Sequence, residues 1–127
     1  MVPTFKIETL CPILNVKDVP TSRDFYVKML GFTEADWGTD QFTYIVRDHF
    51  GIYLSQGSQG NPGTWIWIGF EGDIRSLYEE FKANGVNIRK PPTNYSWAME
   101  LVVEDPDGHV LRFGTEPNAN EPFLNSS

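Results

Sequence analysis

The order of elements read from hydrophobic spacing occurs twice, and this duplication constrains the fold more than any single motif. TLCPILNV, residues 9–16, reads as a short apolar strand. TSRDFYVKMLG reads as a helix: Thr21 with Asp24 three residues on makes a capping box, Phe25, Tyr26, Met29 and Leu30 form one apolar stripe, and Gly31 ends it. FTEADWG, QFTYIVRD and GIYLSQG read as three strands, the last two joined by a turn near His49 to Gly51. Beyond a loop rich in Gly, Ser, Asn and Pro at 55–63 the order repeats. TWIWIGF at 64–70 is a strand, and DIRSLYEEFKANG is a helix with Ile74, Leu77, Tyr78 and Phe81 on one face, Asp73 as cap and Gly85 as stop. VNIRK, WAMELVVE and HVLRFG supply three more strands, and the helix exits Gly31-Phe32 and Gly85-Val86 correspond.

One small sheet with one helix buries too little surface to stand alone, so the two units must pack together. The expectation is a single α+β domain over 1–127, built of two βαβββ modules at about 5–57 and about 64–115 that form a curved mixed sheet. Each helix would cover one sheet face, and the other faces would curve into a cleft between the units. The tail 116–127, polar and Pro-containing, is expected to lie loosely on the surface.

Charge and cysteine usage narrow the partners. A net charge of −7 disfavours nucleic acid, whose phosphates need clustered Lys and Arg, and weakly favours cationic ligands through the long-range field. An acidic surface also serves solubility alone. No apolar run reaches the about 18 residues a membrane span needs, and the first residues lack the pattern of a secretory signal. The single cysteine, Cys11, precludes an internal disulfide and fits a reducing cytoplasm.

Nine Phe, five Tyr and four Trp are enough to build a ligand wall as well as a core. Trp65 and Trp67 alternate and so share a sheet face, as a stacking wall or as filling beneath a helix. Trp97 precedes the last hairpin and reads as a lid or as packing; Trp37 reads as packing. Tyr53 offers a ring and a hydroxyl for orienting a polar ligand, or a structural hydrogen bond. Arg112 either pairs with Glu100 across the hairpin or meets an anionic ligand group. Cys11 reads as a small packing residue before a nucleophile, since no activating histidine is near in sequence. Glu79 and Glu80 form a hydrated face of the second helix.

The paired units, with VKDVPTSRDFYVKMLGF in the first and EDPDGHVLRFG in the second, resemble the vicinal oxygen chelate superfamily of glyoxalases, bleomycin-resistance proteins and extradiol dioxygenases. The resemblance spans nearly all of 5–115. It implies that metal-dependent members hold one divalent ion on four inward side chains, mostly His and Glu. Carried over by motif, those positions fall on Cys11, Tyr53, Trp65 and Arg112. Cys, Tyr, Trp and Arg cannot together supply the imidazoles and carboxylates such an ion needs at roughly 2 Å, and a guanidinium repels it. The two histidines, His49 and His109, fall at hairpin turns, where an exposed structural role is expected.

The pattern is closer to the bleomycin-resistance branch, which implies a dimer that sequesters a flat or cationic molecule in aromatic clefts at the subunit interface. The corresponding segment here is NYSWAMEL, with Ala98 where that branch carries a glycine. The resulting expectation is a cytoplasmic, metal-independent binding protein without catalytic residues or cofactor, whose ligand is held by Cys11, Tyr53, Trp65, Trp67, Trp97, Glu100 and Arg112. The competing expectation is a lyase or oxidoreductase of the glyoxalase or dioxygenase kind with a displaced metal site.

Overall fold

The computed structural model describes residues 7–57 and 59–124, so the start assigned to the first module at 5–6 and the last residues of the tail lie outside the described residues. Strands β1 (Ile13–Val16), β2 (Thr33–Glu34), β3 (Phe42–Arg47) and β4 (Phe50–Gln56) make one sheet in the order β1-β4-β3-β2. Strands β5 (Trp65–Gly69), β6 (Asn87–Asn94), β7 (Met99–Glu104) and β8 (Val110–Thr115) make a second in the order β5-β8-β7-β6. The two orders are the same path taken twice. In each, the first strand runs parallel to the fourth and the remaining pairs are antiparallel.

Helix α1 (Val19–Asp24) continues into a π-helical turn over Phe25–Met29, and α2 spans Ile74–Ala83. The cap of α1 is Asp18, not Thr21: its carboxylate accepts from the Thr21 backbone N–H and hydroxyl, and Pro20 presets the first turn. Asp73 caps α2 as expected. Gly31 and Gly85 both adopt φ of 81° at the helix exits, a conformation that side-chain-bearing residues avoid.

Both modules contribute to one core. Leu14, Val16, Ile45 and Leu54 from the first sheet meet Leu101, Val103 and Leu111 from the second, with Tyr26, Leu30, Leu77 and Phe81 from the helical segments between them. The alternation of β5 divides cleanly: Ile66 and Ile68 pack on this core, whereas Trp65 and Trp67 stand on the opposite face.

Several elements depart from expectation for identifiable reasons. The first strand starts at Ile13, after Pro12, which has no N–H to donate. FTEADWG forms only the two-residue β2, because Ala35 and Gly38 enter a turn. VNIRK predicts a strand ending at Lys90, but β6 runs on through Pro91 and Pro92: one of two successive prolines faces the open edge, and the register shift between Lys90 and Thr93 accommodates the other. The described part of the tail, 116–124, is not loose. Asn94 donates from Nδ2 to the carbonyls of Asn118, Glu121 and Pro122 and accepts the Asn118 N–H, while Leu124 donates to the Asn94 carbonyl and Arg75 pairs with Glu121 at 3.0 Å.

The hairpin DPDG is the staple between modules. Asp107 accepts from the Lys17 backbone N–H at 2.8 Å and from the Ser22 hydroxyl at 2.7 Å. Asp105 accepts from the Tyr26 hydroxyl at 2.8 Å and from the backbone N–H groups of Asp107 and His109. His49 is exposed at its turn as expected, but His109 is fully buried. Its Nδ1 accepts the Thr64 N–H, so Nε2 carries the ring proton and donates to the Asn15 carbonyl at 2.6 Å. The burial follows from the turn folding inward onto the first module.

Candidate functional site

Two aromatic faces lie on the sides of the sheets away from the core. On the first sheet, Tyr44 and Tyr53 are cross-strand partners with ring centroids 4.5 Å apart. Phe42 stacks on Tyr53 at 5.3 Å, and Trp37 lies parallel to Tyr44 at 6.3 Å. Trp37, read from sequence as packing, is therefore part of this half-exposed aromatic surface. Phe42 and Tyr44 alternate on β3, the one sequence signal for this cluster, but the strand register was needed to place them. Gly51 makes room for Tyr44: a Cβ there would sit 2.1 Å from the phenol ring.

Cys11 joins the same face, its Sγ 3.4 Å from both the Tyr44 hydroxyl and the Thr9 hydroxyl. The Thr9 hydrogen bond, then that from Tyr44, lowers the thiol's pKa below its ordinary value. The hydrogen bond to Cys11 and partial desolvation push Tyr44 up to about 12. Tyr44→Phe should therefore raise the pH at which Cys11 reacts with a thiol-exchange reagent; an unchanged profile would show that the tyrosine does not stabilise the thiolate.

The second face is organised by one buried carboxylate. Glu100 is 2% exposed. Its Oε1 accepts Arg112 Nε at 3.1 Å and Nη2 at 2.6 Å, and its Oε2 accepts the indole N–H of Trp97 at 3.0 Å and of Trp67 at 3.5 Å. The register puts Glu100 opposite Gly114 and Arg112 opposite Val102, so the pair is a same-face diagonal. Gly114 has no side chain because the Trp67 indole occupies its place: a Cβ would fall 2.5 Å from that ring. Trp97 stacks on Tyr95 at 4.5 Å and 6°, and the Arg89 guanidinium lies 4.9 Å over Trp65. Trp65 and Trp67 remain 55% exposed, which leaves large apolar surface open.

The structure thus groups Cys11 with Tyr53 through Tyr44, and Trp65, Trp67, Trp97, Glu100 and Arg112 around the second sheet. It does not bring the two groups together. Among the described residues no hydrogen bond or ring contact joins the two faces, so these residues do not form the expected cleft between the modules within one chain. Nor do the four carried-over positions fit a divalent ion. Two of them sit on each face, Arg112 brings a fixed positive charge, and among the described residues no group of three or more His, Cys, Asp or Glu is placed to hold a metal. No helix among those residues is long and apolar enough to cross a membrane.

The sequence pattern of the Glyoxalase/Bleomycin resistance protein/Dioxygenase superfamily matches residues 6–113. A protein from the mobile metagenome of V. Pseudocholerae is 25% identical, with a TM-score of 0.75 over 90% of this chain and 98% of that one. A bleomycin-binding protein from bleomycin-producing Streptomyces verticillus, solved in complex with copper(II)-bleomycin, is 26% identical, with a TM-score of 0.73 over 91% of this chain and 100% of the other. TioX from Micromonospora shares the fold at 17% identity and a TM-score of 0.74, over 84% of this chain and 97% of that one. No curated protein matches the chain.

Proposed function

Since the chain belongs to the Glyoxalase/Bleomycin resistance protein/Dioxygenase superfamily, we propose that it is a non-catalytic member that holds a planar small molecule between the first-module face of one copy and the second-module face of another. The observation that carries this reading is the carboxylate of Glu100. Where a metal enzyme of this fold would aim acids and imidazoles at an ion, the buried acid of this face is committed to an arginine and two indoles. The hydrogen bonds lock the rings as walls and leave no carboxylate lone pair directed outward for a Lewis acid. Guest binding would then derive from aromatic burial in a cleft of largely fixed shape. Exposed Trp65 and Trp67 on one face, and Trp37 and Tyr53 on the other, are the surfaces a second copy would cover.

Calorimetric titration of dialysed protein with copper(II)-bleomycin and with smaller planar compounds tests the proposal, alongside elemental analysis of the same sample. Expected are saturable heat with at least one of them, recovery of the guest chemically unchanged, and no stoichiometric divalent ion. Absence of heat with every compound, or one tightly retained metal per chain, would overturn it; the second result would favour the lyase or oxidoreductase.

A further inference from the structure

Strand β6 shifts register against β7 twice, between Ile88 and Lys90 and again between Lys90 and Thr93. Ile88 pairs with Val103 and Lys90 with the adjacent Val102, so Arg89 is an extra residue in a β-bulge. Regular alternation would send Arg89 and Lys90 to opposite faces; with the bulge, both line one cavity of about 280 Å³ together with Trp65, Tyr95, Glu100 and Arg112.

The charges in this cavity do not balance. Arg89 is paired with Glu104 at 2.8 Å and Arg112 with Glu100 at 2.6 Å. Lys90 has no acidic partner among the described residues; its ammonium donates to the Tyr95 hydroxyl and lies 5.2 Å from that ring's centre. Three cations thus face two carboxylates, and the surplus positive charge is Lys90. Glu100 cannot recruit a cation, because both its oxygens are occupied. Lys90 and Arg112 lie on one cross-strand row through Val102, about 10 Å apart at the backbone for two strand spacings, a gap two long side chains can close on one small group. Trp65 supplies the flat wall beside them. The net charge of −7 acts against this only from a distance, and physiological salt screens charges farther than about 8 Å.

We propose that this pocket selects a planar aromatic guest bearing a single carboxylate, with the ring on Trp65 and the carboxylate at Lys90 and Arg112. One surplus charge matches a monoanion. The proposal rests on the guest-holding reading above and specifies the guest's charge.

Isothermal titration with 2-naphthoate, neutral 2-naphthamide and cationic 2-naphthamidine separates the two claims. In the wild-type protein 2-naphthoate should bind about tenfold tighter than the amide, and the amidine weakest of the three. Lys90→Met should abolish the tenfold preference for 2-naphthoate over 2-naphthamide, and Lys90→Arg should keep it. Circular dichroism confirms that each variant is folded. If the amidine binds best, or Lys90→Met keeps the full preference for 2-naphthoate, the charge assignment fails and the guest-holding reading stands. If none of the three compounds binds the folded wild-type protein, the charge assignment fails; the guest-holding reading fails with it only if copper(II)-bleomycin and the other planar compounds give no heat either.

Discussion

Asp105→Ala should lower stability by about 3 kcal/mol, measured as a shift of the urea midpoint at neutral pH. The change removes the acceptor for the buried Tyr26 hydroxyl and for two backbone N–H groups, and it leaves the phenol unpaired inside the core. Each orphaned buried donor costs roughly 1–3 kcal/mol, whereas Pro106, next along the chain and exposed, should tolerate substitution. The same contact predicts a pH signature. Burial, then the neighbouring carboxylate, holds the Tyr26 phenol well above its ordinary pKa. A group whose pKa is raised on folding keeps its proton in the native state after the unfolded chain has lost it. Stability is therefore intact below about pH 10 and falls as pH rises beyond it, with a slope of up to about 1.4 kcal/mol per pH unit. Tyr26→Phe should remove that slope. If the variant loses stability above pH 10 as steeply as wild type, Tyr26 is not its source.

Glu100→Ala should cost about 2 kcal/mol and loosen the second aromatic face. Three groups lose their common acceptor: Arg112 and the indoles of Trp67 and Trp97. The loss is smaller than for a fully buried ion pair because the Arg112 side chain is 29% exposed and can turn toward water. Near-ultraviolet circular dichroism should lose much of its tryptophan signal while the far-ultraviolet spectrum stays unchanged. The Glu100→Ala, Arg112→Ala double variant should be more stable than the sum of the single losses predicts, because removing both charges leaves neither unpaired. Strict additivity would mean that the pair is not coupled.

The frame of this molecule was readable from local chemistry. Glycine at each helix exit, Asp73 before α2 and the period-two split of Trp65 and Trp67 from Ile66 and Ile68 are short-range signals, and the structure carries them. What escaped the sequence depends on long-range pairing. His109 looks like a turn histidine until the hairpin is seen to dock against Asn15 and Thr64. Pro91 and Pro92 look like the end of a strand unless that strand is known to be an edge. Arg89 and Lys90 look like neighbours on opposite faces because a bulge leaves no mark in residue spacing. The pairing of Arg112 with Glu100 was readable as one of two alternatives, but its two indole partners were not, because indole N–H direction depends on rotamers set by Gly114 and Tyr95.

The two ring-bearing faces lie on the sides of the sheets away from the shared core, and under the proposed pairing each cleft draws one face from each copy. A chain damaged at Tyr53 and another damaged at Trp65 would each be inactive by itself, since every cleft in either homodimer would carry the lesion. Mixed together, each heterodimer would combine both lesions in one cleft and leave the other intact, so co-expression should restore up to half of the wild-type capacity in those hybrids. Complementation between two inactive alleles would thus be a direct in vivo signature of a guest held jointly by two copies.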